Sequence, residues 1–188
     1  MPSIPTHFFV GVALGQGADQ KLRADWRFWV LAIVCSALPD VDVIGFHFGV
    51  KYGDLWGHRG MTHSILFAVL IGIAAGVFLG GSRAEITRQS ILLFLITCSH
   101  GVLDAMTDGG LGVAFFSPFD ATRYFLPWRP ILVSPLSASR FFTTRGMSIV
   151  LNELVVVWVP MVVLGLVLYT VRRRGEGATD SRPIEPRQ

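Results

Sequence analysis

The sequence predicts an all-α integral membrane bundle with four full spans and a short N-terminal helix packed against them. Composition is the first reason: 52% of the 188 residues are hydrophobic and 15% are charged, where a soluble domain carries about 25% charged residues. The mean hydropathy of +0.54 agrees. The second reason is four separate apolar runs, each near the 17 to 25 residues that cross about 30 Å of hydrocarbon. The third is a scatter of histidines and aspartates inside or beside those runs, where ionisable groups are costly. The length suits one domain, membrane-embedded over residues 1–174. A tail over residues 175–188, GEGATDSRPIEPRQ, has the composition of disorder.

The elements follow in chain order. THFFVGVALGQGA, near the N-terminus, is too short for an ordinary span and is expected as a half-span or interfacial helix. No basic stretch precedes it, so a cleavable signal is not expected. The first full span covers 28 to 44, FWVLAIVCSALPDVDVI, with a break expected at Pro39. The second covers 64 to 81, and its GIAAG run permits close helix contact. Thr62 or Ser64 is positioned to cap it. The third covers 90 to 106, SILLFLITCSHGVLDAM. The fourth covers 149 to 171, where Pro160 is expected to kink the helix. Between the last two lies a loop from about 107 to 148, rich in Pro, Phe, Ser and Arg. Its aromatic content suits packing on the membrane surface, with Phe119, Tyr124 and Trp128 at the lipid interface. Cys35 and Cys98 are isolated in apolar runs, so neither a disulfide framework nor a thiolate metal site is expected.

Basic residues orient the bundle. The net charge is +3, but the positive residues are dispersed between apolar runs, which excludes a nucleic-acid surface and fits membrane flanks. Lys21, Arg23, Arg27, Arg83, Arg88 and Arg172 to Arg174 sit densely beside span ends on one side. Lys51, Arg59, Arg123, Arg129, Arg140 and Arg145 are diluted over two longer loops on the other. The denser set is expected in the cytoplasm. The spans then deliver Asp40 and Asp42, His58 and His63, and His100 and Asp104 to the outer, periplasmic side. His7 joins them if the N-terminal segment descends from that side.

These residues are all of metal-ligand type. His100 and Asp104, at i and i+4, share a helix face. Asp40 and Asp42 would diverge on a regular α-helix, and a break at Pro39 could aim both inward. His58 and His63 flank a glycine-containing turn, GHRGMTHS. A set of histidines and aspartates without thiolate suits Zn2+, Mn2+ or Fe2+. A divalent metal with an open position activates water near neutral pH, and Asp42 or Asp104 is a candidate general base. Arg59 has the planar shape that holds a phosphate or carboxylate at two points. His47 is expected outside the cluster. Two other readings of intramembrane His and Asp remain: a metal-ion or proton transporter, and a scaffold in which polar groups tie helices together.

The order Thr6-His7, Pro39-Asp40-x-Asp42, His58-Arg59-Gly60-x-Thr62-His63-Ser64, Ser99-His100-x3-Asp104 and Ser117-Pro118-Phe119 resembles the YdjM-like inner-membrane proteins. That family is described as LexA-regulated, membrane-bound, metal-dependent hydrolases. The likeness spans roughly residues 5 to 135, and the HRGxTHS and SHxxLD blocks are its most specific part. The His and Asp order is also distantly similar to zinc-dependent phospholipase C. What the resemblance implies is a multi-pass bacterial inner-membrane protein with a metal-dependent hydrolytic site, most readily for Zn2+. Its partners would be membrane lipid and a lipid-linked or small phosphoester substrate.

Overall fold

A computed structural model describes residues 1–134 and 143–180, with side chains as far as residue 175. Its architecture is all-helical. Among the described residues there is no strand, and isolated bridges join Thr107 to Ile131 and Val113 to Tyr124. The helices are α1 (Ile4–Gly15), α2 (Gln20–Arg23), α3 (Trp26–Ala37), α4 (Ile65–Leu79), α5 (Arg83–Ala105), α6 (Thr144–Glu153) and α7 (Val159–Asp180). Two 3₁₀ segments, Leu38–Phe48 and Met61–His63, lie between α3 and α4, and a wide π turn, Leu154–Trp158, joins α6 to α7.

Three helical stretches are long and apolar enough to cross a membrane: Trp26–Phe48, Arg83–Ala105 and Thr144–Gly175. The run expected as a full span at 64–81 forms the 15-residue α4. At 1.5 Å per residue it covers about 22 Å, short of the roughly 30 Å of hydrocarbon. Ser64 caps its start by accepting from the Phe67 amide, at 3.1 Å. Gly80, at φ 76°, ends it in a conformation that costs glycine nothing.

Polar first turns explain why some helices start earlier than apolarity alone suggests. α5 begins at Arg83 because Ser82 and Glu85 form a reciprocal capping box. α6 begins at Thr144, where the Thr143 hydroxyl accepts from the Gly146 amide. Pro160 cannot donate to the carbonyl one turn back. The helix widens just before it, and the Val159 amide reaches the Leu154 carbonyl. The tail expected to be disordered from residue 175 continues α7 to Asp180, and residues 181–188 lie outside the described residues. So do residues 135–142 of the long loop, Arg140 among them.

α1 lies at the centre, packed on α3, α5 and α7. α4 pairs with α5 most extensively. A Cβ on Gly72 would come within 2.7 Å of the Ser90 carbonyl and the Phe94 amide, so only glycine allows this approach. Phe28, Ala32, Cys35, Ala75, Leu93 and Ile96 fill the apolar core between α3, α4 and α5. Cys35 and Cys98 are free thiols.

The basic flanks meet at one end of the bundle, as their spacing suggests. Lys21 pairs with Glu85 at 2.7 Å. Arg172 donates to the Gly17 carbonyl at 2.7 Å, and Arg23 lies over the Tyr169 ring. His7, Asp40, Asp42, His58, His63, His100 and Asp104 gather at the other end, all of them buried.

Candidate metal centre

Four segments build the site. α1 supplies His7, the 3₁₀ segment after α3 supplies Asp40 and Asp42, the loop and turn before α4 supply His58, Arg59 and His63, and the last turns of α5 supply His100 and Asp104. The break at Pro39 is what allows both Asp40 and Asp42 to face inward, at 6% and 7% exposure. At three residues per turn they stand about 120° apart rather than the roughly 160° of an α-helix.

Asp40, His63, His100 and Asp104 are buried, and one ligand atom from each lies within 4.8 Å of every other. His100 Nε2 is 3.3 Å from Asp40 Oδ1. His63 Nε2 is 3.6 Å from Asp40 Oδ1 and 3.4 Å from Asp104 Oδ2. Ligands bound tetrahedrally at about 2.1 Å stand about 3.4 Å apart, so these separations match the edges of one coordination shell. The same atoms have no hydrogen-bond partner: both oxygens of Asp40 and of Asp104, and Nε2 of His63 and His100. Their ionic neighbours stand at 3.0 to 3.6 Å, and leaving so many buried polar atoms without a hydrogen bond is expensive. Together the donor set and its unmet bonding fit a divalent ion.

Neighbouring groups fix how the ligands point. The His100 Nδ1 donates to the Ser36 carbonyl at 2.7 Å. A carbonyl only accepts, so the lone pair is left on Nε2. His63 Nδ1 faces Asp42 Oδ2 at 3.1 Å, which likewise bares Nε2 toward the cluster. A carboxylate behind a histidine in this way raises its basicity and sets its ring. Burial disfavours charge on His63, but Asp104, Asp40 and Asp42 around the ring outweigh it and push its pKa up to about 10.

Asp42 and Arg59 sit differently from what their sequence suggests. Asp42 is engaged by His58 Nδ1 at 2.8 Å, the Arg59 amide at 3.1 Å and the Thr62 hydroxyl at 2.7 Å. Its lone pairs are thus spent on holding the loop, which leaves little for a general base. It does form a second cluster with His58 and His63. Arg59 is fully buried. Its Nε lies 3.0 Å from Asp104 Oδ2, and its terminal nitrogens donate to the Gly109 carbonyl and the Thr107 hydroxyl. Every one of these contacts is internal, and the side chain supports Asp104 from behind. It is also the one non-glycine residue with positive φ among the described residues, at 63°, a strain that the surrounding contacts hold in place.

His7 stacks on His100 at 3.7 Å between ring centroids. Its Nε2 is 3.8 Å from Asp104 Oδ1, and neither ring nitrogen is hydrogen-bonded. His47 lies outside the cluster. Three contributors escape sequence reading: the Ser36 carbonyl, Thr107 and Glu153. The first had a signal, because a helix broken at Pro39 leaves its last carbonyls without intrahelical partners. Glu153 is buried on α6 and accepts from the Ser3 amide at 2.7 Å, the Ser3 hydroxyl and the Thr6 hydroxyl.

Comparison with known proteins gives a consistent result. The family model of the YdjM inner membrane protein matches residues 1–175. Inner membrane protein YbcI of Escherichia coli (strain K12) is 38% identical over 177 residues, 93% of this chain and 100% of the relative. No solved structure matches significantly. The matched stretch contains every described helix up to residue 175 and all the residues of the cluster, and the chain belongs to the YdjM inner membrane protein family.

Proposed function

We propose that this protein is a membrane-bound, metal-dependent hydrolase of a lipid-linked phosphoester, with its site on the periplasmic side. The observation that carries the reading is the set of buried ligand atoms on Asp40, His63, His100 and Asp104, which lie within 4.8 Å of one another and have no hydrogen-bond partner. These four residues would hold one divalent ion, Zn2+ by ligand type. When bound, such an ion supplies Lewis acidity toward a phosphoryl oxygen and activates water.

The remaining groups have supporting tasks. Asp42 and the Ser36 carbonyl hold the histidine rings, and Arg59 holds Asp104. His7, stacked on His100 with Asp104 beside it and neither nitrogen hydrogen-bonded, would be a further ligand to the ion. The dense basic end of the bundle supports the orientation by the positive-inside rule. Cysteine labelling at Trp128 from outside intact cells tests that orientation.

The main test is metal analysis of purified protein together with a screen of phosphodiesters and phospholipids, before and after chelation. The expected result is a bound divalent metal and hydrolysis that chelation removes and metal restores. Protein that binds no divalent metal at neutral pH, or a His100→Ala variant with full activity, would sink the reading.

A further inference from the structure

A cavity of about 660 Å³ adjoins the cluster. It lies between the start of α1, the 3₁₀ segment and α6, and Asp40 forms part of its wall. Its lining changes character along its length. The buried end is polar: Asp40 at 6% exposure, Ser3 at 8% and Glu153 at 2%. The outer part is largely apolar, although exposed His47 also lines it, and Ile4, Val150 and Leu154 there are 46%, 43% and 42% exposed. Val150 and Leu154 stand on a stretch long and apolar enough to cross a membrane, and Ile4 opens a shorter apolar helix. The cavity therefore runs from the Asp40 carboxylate of the cluster to an exposed apolar surface.

We infer that this cleft is the hydrocarbon-binding part of the substrate site, admitting a lipid chain sideways from the bilayer and seating its phosphoester head at Asp40. The inference rests on the hydrolase reading and assigns the place where the lipid chain of its substrate binds. The polar-to-apolar gradient matches the shape of a lipid, head inward and tail outward. The volume falls within the roughly 300–1,000 Å³ that encloses a small molecule, too little for a partner helix. Glu153 is a positioning residue here. Its bonds to Ser3 and Thr6, and the Trp158 indole donating to Thr6 at 2.7 Å, pin the start of α1 to α6 and the π turn and so fix the polar end of the cleft.

The test is photo-crosslinking of detergent-purified full-length protein with a phosphatidic acid that carries a diazirine on one acyl chain. The expected labels fall on Ile4, Val43, Val150 or Leu154. Val150→Trp is expected to cut this labelling about tenfold, equivalent to roughly 1.4 kcal/mol, with metal stoichiometry unchanged. Unlabelled phosphatidic acid should compete, and glycerol phosphate, which has the head without the chain, should not. This competition decides the matter if the tryptophan variant fails to fold. Labels no denser in the cleft than on the outer faces of α4 and α7, or equal competition by glycerol phosphate, would overturn the inference. Hydrolysis of a soluble phosphodiester is measured separately. Activity there without cleft labelling removes this inference alone, while cleft labelling without hydrolysis of any ester keeps the lipid site and removes the hydrolase reading.

Discussion

The two ends of the bundle carry charge in opposite ways. At the basic end the Lys21 side chain is 84% exposed and meets Glu85 at 2.7 Å, and Asp25 meets Arg27 at 2.7 Å. Every one of these charges has a partner and water nearby. At the other end His7, Asp40, His63, His100 and Asp104 are buried, and each keeps an atom without a hydrogen bond. Exposed pairs form at little cost and contribute little. A buried set with unmet bonding costs several kcal/mol per charge unless something completes it. The contrast shows that burial and unmet bonding, rather than the number of charges, mark the end of the molecule that could hold a metal ion.

That contrast can be broken most severely at the ligands. His63→Ala or His100→Ala removes one donor and should lower divalent-metal affinity by more than the roughly 10–100-fold typical of losing a supporting partner. Metal content after gel filtration reads the effect, and retention of metal by both variants would show that the unpaired atoms are not a coordination shell. Arg59→Ala comes next. It leaves Asp104 buried without its cation, which typically costs about 3–5 kcal/mol, and a thermal melt in detergent should show it. Arg59→Lys keeps the charge but loses the bonds to Gly109 and Thr107, so its melt should fall between the two.

Asp42→Asn sharpens the comparison by separating ligand from support. The fold should persist while metal affinity falls by about 10–100-fold, as titration calorimetry would measure. The pH dependence has a definite sign. In the metal-free protein the His63 pKa stands at about 10, above the ordinary value of about 6.5. Its contribution to stability is therefore complete below about 6.5 and is lost as pH rises through about 10. Metal must displace that proton, so affinity should rise with pH up to about 10. Calorimetry at pH 7 in buffers of different ionisation enthalpy should show proton release, and an absence of release would mean His63 is not a ligand. The smallest effect belongs to the basic end. Lys21→Ala should leave the melting temperature and metal affinity unchanged within measurement error.

The site was legible in part because its chemistry is local in type. His100 and Asp104 are one helical turn apart, and HRGMTHS announces a turn beside a helix, so their shared destination followed from span order and charge. The close approach at Gly72 was visible in GIAAG. Helix starts were less legible, since the polar first turns of α5 and α6 dilute the apolar signal and are helical because Ser82 and Thr143 cap them. The extent of α4 was not legible either, because an apolar run states solubility in lipid and says less about where the backbone turns.

The sequence by itself determined an all-helical membrane chain, the segregation of basic flanks, and the residues with the chemistry to bind a metal. Those follow from composition and from periodicity, which act over a few residues. Only the tertiary structure decided what each polar residue does once there. Asp42 and Arg59 read as acid–base and anion-binding groups until Thr62, the Arg59 amide, Thr107 and Gly109 are brought against them by contacts as many as 50 positions apart. The Ser36 carbonyl lies 64 positions from His100, and Glu153 lies 150 positions from Ser3. A hydrogen bond acts over about 3 Å, and which atoms come that close is a property of the packed chain.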